Sequence, residues 1–374
     1  MSYNLIRNAR VFFTTKVGAT TGVVDASGFT ATNTREIQVL DGMSFSQNTT
    51  TETVTLSEAG AAPVRGQRQF NTALDPVDFS FTTYMRPQDG GANITAEESV
   101  LWNAMFAVDP IGGSNPAWTE TNTYGQCVAT NSEKHQLQKF GLIIVLDTTT
   151  FIIDDCVLNT ATVDFGLDAI ASIQWAGQGR YLRQIATPTF VDADTWSGTL
   201  AGDYKVKNTT APYIANKLSV LELNSGFTSG SAYTIALTGG SLTISNNVTY
   251  LVPANLGVVN QPATYFTGTR SITGTLNCYL RTGALNSAGL IDTLLTGSTT
   301  EVNPVFRMNI KVGGTGADRV EFNMPSVVLS IPSVNTEQVV STAITFTAQG
   351  SANNLFDIAS ANELNVKYYT TNAA

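Results

Sequence analysis

The residues best able to carry out a reaction are few, and their spacing argues against a reaction centre. The chain has 374 residues and one histidine, His135, in the polar stretch Ser132-Glu133-Lys134. A Ser-His-Asp triad would have to use it, and any site needing two histidines is excluded by count. The pattern Gly-x-Ser-x-Gly, which exposes a nucleophilic serine on a sharp turn, does not occur. Gly314-Thr315-Gly316 lacks the third glycine, the Lys-Ser/Thr pair and the following helix of a phosphate-cradling loop, and reads as a hairpin turn. Asp154-Asp155 and Asp192-Ala193-Asp194 offer paired carboxylates without the ligand spacing of a calcium loop. Cys127, Cys156 and Cys278 are odd in number and widely spaced, so they form no disulfide framework. Cys156 and Cys278 fall in strand-like text and read as small buried hydrophobes. These patterns predict no catalytic residue, no metal site and no cofactor.

With chemistry set aside, composition narrows the class. Hydrophobic residues make up 43% of the chain and charged residues 13%, which excludes a disordered, highly charged polymer. Net charge is −9 and the pI about 4.7. A static nucleic-acid binder needs clustered Lys and Arg to displace counterions from phosphates, and the 20 basic residues are scattered. Met1 to Arg7 shows no secretory apolar core, and no apolar run reaches membrane-spanning length. The expectation is a folded, β-rich protein made and kept in a cytoplasm, with no membrane partner.

The chain repeats itself. Ser80-Phe81-Thr82-Thr83-Tyr84-Met85-Arg86 returns 195 residues later as Thr275-Leu276-Asn277-Cys278-Tyr279-Leu280-Arg281. Val100-Leu101 and Ala104-Met105 match Leu290-Ile291 and Leu294-Leu295 at a separation of 190. Ile173 to Gly179 matches Ile344 to Gly350 at 171. Element order is kept while loops differ, as in a duplicated building block. Residues 1–186 form the first module, 187–200 a linker marked by Pro and Asp, and 201–374 the second module with a C-terminal strand.

Each copy predicts an alternating strand from Arg10 or Lys217, then a second over Glu36 to Phe45 or Ala232 to Ile244. Gly239-Gly240 supplies a bulge in the latter. Long excursions follow, Asn48 to Asn71 and Asn247 to Gly268, and alternating Thr/Val text makes the first a protruding β-hairpin. Thr95-Ala96-Glu97-Glu98 predicts a capping box ahead of one helix. Ser287 and Gly297 bound the other. Phe140–Leu146 with Phe151–Val157, and Val305–Val312 with Val320–Leu329, close each copy. The last strand, carrying Leu364, Val366 and Tyr368, corresponds to Arg180–Ile185. The fold class is mainly β: two tandem sandwich or barrel modules, each with one short flanking helix and a long protruding hairpin.

Several strings resemble the major tail tube protein of tailed bacteriophages. They are Leu5 to Phe12, Thr34-Arg35-Glu36-Ile37-Gln38-Val39 and Glu58-Ala59-Gly60-Ala61-Ala62-Pro63-Val64-Arg65-Gly66. Asp78 to Tyr84, Ile214 to Leu218 and Ile244 to Leu251 continue the match, which covers essentially the whole chain. It is closest to the branch with long, non-contractile tails, in which one chain carries two fused modules. The resemblance implies trimeric rings stacked head to tail, in contact with tape-measure, tail-terminator and tail-tip or baseplate proteins. The channel would pass double-stranded DNA without specific binding, so an acidic or neutral wall is expected. Within the first hairpin, Glu52, Glu58, Arg65 and Arg68 are the expected inter-ring contacts. Two other readings compete: a phage receptor- or carbohydrate-binding module, and the tube of a contractile tail or injection system. A sugar-binding surface needs clustered aromatics, whereas Trp102, Trp118, Trp175 and Trp196 are dispersed.

Overall fold

The structure, a computed structural model, describes residues 9–18, 21–25, 29, 33–54, 67–89, 94–96, 98–106, 124–126, 136–146, 149–186, 212–225, 232–300, 305–316, 318–335, 339–350 and 363–370. The first half contains β1 (Ala9–Thr14), β2 (Thr34–Ile37), β3 (Ser44–Val54), β4 (Arg68–Tyr84), β5 (Pro87–Asp89), β6 (Ile94–Ala96) and helix α1 (Ser99–Met105). It continues with β7 (Tyr124–Gln126), β8 (Phe140–Leu146), β9 (Thr149–Asp164), β10 (Ser172–Gly179) and β11 (Tyr181–Ile185). The second half contains β12 (Val220–Ser225), β13 (Ala232–Ile235), β14 (Leu237–Ser245), β15 (Val248–Leu251), β16 (Thr264–Thr267) and β17 (Ser271–Tyr279). Helix α2 (Ser287–Thr300), β18 (Val305–Val312), β19 (Arg319–Leu329), β20 (Ser333–Asn335), β21 (Ser341–Gln349) and β22 (Asn365–Tyr369) complete it. Among the described residues no helix is long and apolar enough to cross a membrane.

Both halves use one plan. The outer layer of the first runs β2-β1-β8-β9-β11, and that of the second β13-β12-β18-β19-β22, all antiparallel. The inner layers run β3-β4-β10-β9 and β14-β17-β21-β19. The long strands β9 and β19 belong to both layers of their half. In β9 the crossover falls at Asp155, which takes a positive φ of 51°. The register of β8 against β9 shifts at the same place. β11 and β22 occupy matching positions, as the C-terminal alternation predicts.

Several local expectations shift. The strand expected over Glu36 to Phe45 divides into β2 and β3, because Asp41-Gly42 turns with Gly42 at φ 100°. The expected bulge does lie beside Gly239, where the β14–β17 register shifts. Strand register slides the third repeat by two residues: Trp175 lies opposite Phe81 and Ile344 opposite Leu276, so Trp175 corresponds to Ile344. A two-residue slide leaves every side chain on its original face. Thr95 sits in β6 rather than capping α1, whose N-cap is Glu98 with no side-chain cap bond. Glu98 instead turns inward, accepting hydrogen bonds from the Tyr368 hydroxyl and, at 3.4 Å, from the Arg86 N–H. Ser287 is occupied too, donating to Tyr279 O at 2.8 Å and accepting from Arg281 N at 2.7 Å. α2 runs through Gly297 to Thr300, where the Ser298 and Thr299 hydroxyls bond carbonyls three residues back.

Buried residues from both halves form one continuous core. At its centre Trp102 meets Trp175 edge-on at 4.9 Å and donates to Tyr368 Oη at 2.7 Å, while Trp175 donates to Thr83 Oγ1 at 2.9 Å. Each such buried aromatic contributes on the order of 1.5–3 kcal/mol. The repeat also exchanges volumes across strands. In the first half Phe79 on β4 faces Gly177 on β10; in the second, Gly274 on β17 faces Phe346 on β21. A Cβ at Gly177 would lie 2.5 Å from Phe79 Cζ and 2.3 Å from Val157 O; at Gly274 it would lie 2.4 Å from Phe346 Cζ and 2.2 Å from Ser241 O.

A carbonyl cannot yield as a side chain can, so Gly177→Ala or Gly274→Ala should each cost ~1–3 kcal/mol. That exceeds the ~0.4–1 kcal/mol an alanine returns by restricting the unfolded chain. Chemical denaturation measures the difference, and an unchanged or raised stability would contradict the Phe–Gly pairing.

Candidate functional surface

The two inner layers join. Thr160–Asp164 of β9 pairs antiparallel with Ser241–Ser245 of β14. Phe165 N donates to Gly240 O and Asn246 N to Asn159 O, both at 2.8 Å, on either side of this seam. β20 continues past β19 along β21. The result is one sheet in the order β3-β4-β10-β9-β14-β17-β21-β20, crossing both halves.

Strand alternation gives this sheet two unlike faces. Val77, Phe81, Val163, Leu242, Leu276 and Ile344 point into the core. The opposite face is exposed or half-buried and carries Ser44 and Ser46 on β3, Asp78, Ser80 and Thr82 on β4, and Gln174 and Gln178 on β10. It continues with Thr160, Thr162 and Asp164 on β9, Ser241, Thr243 and Ser245 on β14, Thr273, Thr275 and Asn277 on β17, and Thr345 and Thr347 on β21. The residues named here include two carboxylates, Asp78 and Asp164, and neither Lys nor Arg. Its polar groups bind one another: Ser44 with Ser80 at 2.8 Å, Gln178 Nε2 donating to Asp78 Oδ1 at 3.0 Å, and Thr162 with Thr243 at 3.3 Å across the seam. Such a surface has no nucleophile paired with a base and no cation to trap an anion.

The long excursions stand beside each other. β3 and β4 pair out to Val54 and Arg68, placing Glu52 and Arg68 on the exposed distal end. Glu58 and Arg65 lie outside the described residues, as do His135, Cys127 and Asp192 to Asp194. The second hairpin, β15 with β16, leans on the first half. Leu74 N donates to Asn260 O at 2.8 Å, Asn260 N to Thr72 O at 3.1 Å, and Arg180 Nε to Pro262 O at 2.7 Å. Tyr265 Oη accepts from Leu137 N and donates to Leu137 O, each at 2.9 Å, and Tyr250 Oη donates to Asp155 O. Its tip stays open, with Leu256, Val258 and Val259 exposed.

The other groups singled out by sequence serve the fold. Asp154 is buried, accepting from Val24 N at 2.8 Å and from Arg183 Nη2 at 2.9 Å, and Asp155 lies 3.0 Å from Lys139 Nζ. Among the described residues no group of three potential ligands gathers to hold a metal. Cys156 and Cys278 are buried free thiols, and burial pushes Cys278 up to about 11. Gly313 and Gly314 turn β18 into β19 with φ near 95°. The repeat strings already contained Ser80, Thr82, Thr275 and Asn277 of this face, whereas the seam residues Thr160, Thr162 and Asp164 of β9 lay outside them, their signal being alternation alone.

A duplicated β unit with an open-ended sheet and a neutral polar face is a structural building block. No family model matches the chain. The chain is 31% identical over 365 residues to tail tube protein pb6 of Escherichia phage T5, covering 93% of this chain and 73% of that protein. It therefore belongs to the phage tail tube proteins, in the siphophage branch, and serves as a structural component of the virion tail.

The tyrosines that fasten the second hairpin make its attachment sensitive to alkali. Burial pushes the Tyr265 hydroxyl up to about 12 from an ordinary value near 10, and Tyr250 also lies well above that value. Folding therefore favours the neutral hydroxyls. The Tyr265 contribution should be complete below pH ~10 and lost as pH rises through about 12. Tyr265→Phe should cost about 1 kcal/mol at neutral pH and reduce the loss seen above pH ~10. Denaturation at a series of pH values checks this; an unaltered pH profile in the variant would contradict it.

Proposed function

We propose that copies of this chain assemble side by side into closed trimeric rings that stack head to tail, with the hydroxyl face lining the channel. The observation that carries this reading is the continuous sheet, which joins two like halves in one chain and ends at two strands able to accept more. β3 has β4 alone as strand partner among the described residues, and β20 has β21 alone. Open edges of this kind demand cover. Two modules per chain, spanning 1–186 and 201–374 about a linker at 187–200, would give six around the channel of a trimer. Head-to-tail contact between rings is heterologous and extends without closing.

Phosphates captured by Lys or Arg would add favourable, salt-sensitive contacts in every ring and hold DNA in place. Hydroxyls and the carboxylates Asp78 and Asp164 offer none, so genome DNA would pass during ejection without specific binding. The protein has no enzymatic role on this reading. It is assembled in the host cytoplasm around a tape-measure protein, between tail-terminator and tail-tip or baseplate proteins. A sugar-binding role finds little support, because Trp102 and Trp175 are wholly buried.

The paired hairpins are the axial contact in this scheme. Glu52, Glu58, Arg65 and Arg68 would meet the next ring, with charge worth little individually. Loop shape and the apolar tip at Leu256 and Val258 would contribute more. Electron microscopy of purified protein should show tubes, and mass measurement should show multiples of three chains. Deleting residues 51–62 should leave rings that fail to stack. A chain that stays monomeric at high concentration would overturn the ring, and normal tubes from the deletion would overturn the hairpin assignment.

A further inference from the structure

We propose that the C-terminal strand is a completion latch: the first half gains its native core only once β22, the last strand of the chain, docks on α1. α1 is 7 residues long, and its N-cap makes no side-chain bond. A helix this short is marginal by itself and depends on what packs against it. Part of that packing is local, where Trp102 meets Trp175 of β10 edge-on at 4.9 Å. The rest comes from the second half. Trp102 Nε1 donates to Tyr368 Oη at 2.7 Å, across 266 residues, and the Tyr368 hydroxyl donates to Glu98. Phe322 of β19 lies 6.3 Å from the Trp102 ring, and Asn246 Nδ2 donates to Met105 O at 2.9 Å. β7 of the first half pairs with β22, setting Tyr124 opposite Tyr368.

The bonding makes this contact a requirement. Glu98 is 1% exposed and Trp102 0%. A carboxylate and an indole N–H can be buried only with hydrogen-bond partners, and an unmade bond costs more than a made one returns. One hydroxyl serves both groups, so undocking β22 takes it from both at once, while the Arg86 N–H stays 3.4 Å from Glu98. α1 would then remain solvated, and Trp175, wholly buried here, would lose its cover over the inner sheet. α2 is built differently. It has 14 residues, Leu290 and Leu294 are buried, and Thr293 Oγ1 bonds Tyr233 Oη of its own half at 2.9 Å. The second half therefore holds its helix by itself, whereas the half that is synthesised first is completed last. For assembly the consequence is that an unfinished chain lacks an ordered inner sheet in its first half and stays out of the tube. That consequence rests on the ring reading above; the latch does not.

Pulsed hydrogen exchange during refolding of the intact chain reads the order of events. The amides of Leu101, Trp102 and Phe106, bonded within α1 and its caps, should gain protection in the same phase as those of β22. Leu290 of α2, bonded to Asn286 O at 3.0 Å, should be protected before them. Protection of α1 ahead of β22 would overturn the latch, and so would a single phase shared by all three sites. Tyr368→Phe keeps the ring and removes the shared hydroxyl. In the folded variant the three α1 amides should exchange about tenfold faster or more than in the wild type, with Leu290 unchanged. Unchanged α1 amides, or an equal acceleration at Leu290 that marks global destabilisation, would overturn the proposal. If the variant does not fold, the refolding order of the wild-type chain decides. Both readouts use the unassembled chain, so a failure to form tubes would overturn the ring reading and leave the latch standing.

Discussion

The hydrogen bonds between β9 and β14 turn two repeated halves into a single sheet, and most other features of the molecule follow from that junction. Backbone N–H and C=O groups at a strand edge must be bonded to something. Inside the chain the requirement is met between Thr160–Asp164 and Ser241–Ser245. Among the described residues the same sheet gives β3 and β20, its two ends, one strand partner each.

The first half is held more completely than the second because it has a neighbour. α1 packs against its own sheet and is also gripped from the other half, where Tyr368 accepts from Trp102 and donates to Glu98. A buried carboxylate is costly unless fully bonded, so this cluster ties the C-terminal strand to one position over α1. β7, from the first half, completes the grip by pairing with β22. Among the described residues α2 has no such cover, and its Leu295 is exposed. Within each half the repeat tolerates change so long as volume is conserved, as the exchanged Phe–Gly pairs illustrate.

Much of this was legible in the sequence. The recurrence of Ser80–Arg86 at Thr275–Arg281 located β4 and β17, and the alternation of Leu364, Val366 and Tyr368 located the strand matching β11. The hidden parts have physical reasons. Identity of side-chain pattern cannot resolve a two-residue slide, since in and out are unchanged, so the match of Ile173 to Ile344 needed pairing geometry to correct it. The capping text at Thr95 was overridden because Glu98 found a stronger partner 270 residues away in Tyr368. The hydroxyl face was written in plain view as alternating Ser and Thr, yet which strands lie side by side is a long-range property. No local signal announces that Thr162 meets Thr243.

Hydrogen exchange on assembled tubes, compared with the isolated chain, tests most directly whether the open edges build the wall. In the isolated chain the amides of Thr160–Asp164 and Ser241–Ser245 should exchange slowly, and those of β3 and β20 that face outward should exchange fast. In tubes the β3 and β20 amides should slow to match the internal seam. Fast exchange at both edges in intact tubes would contradict the account.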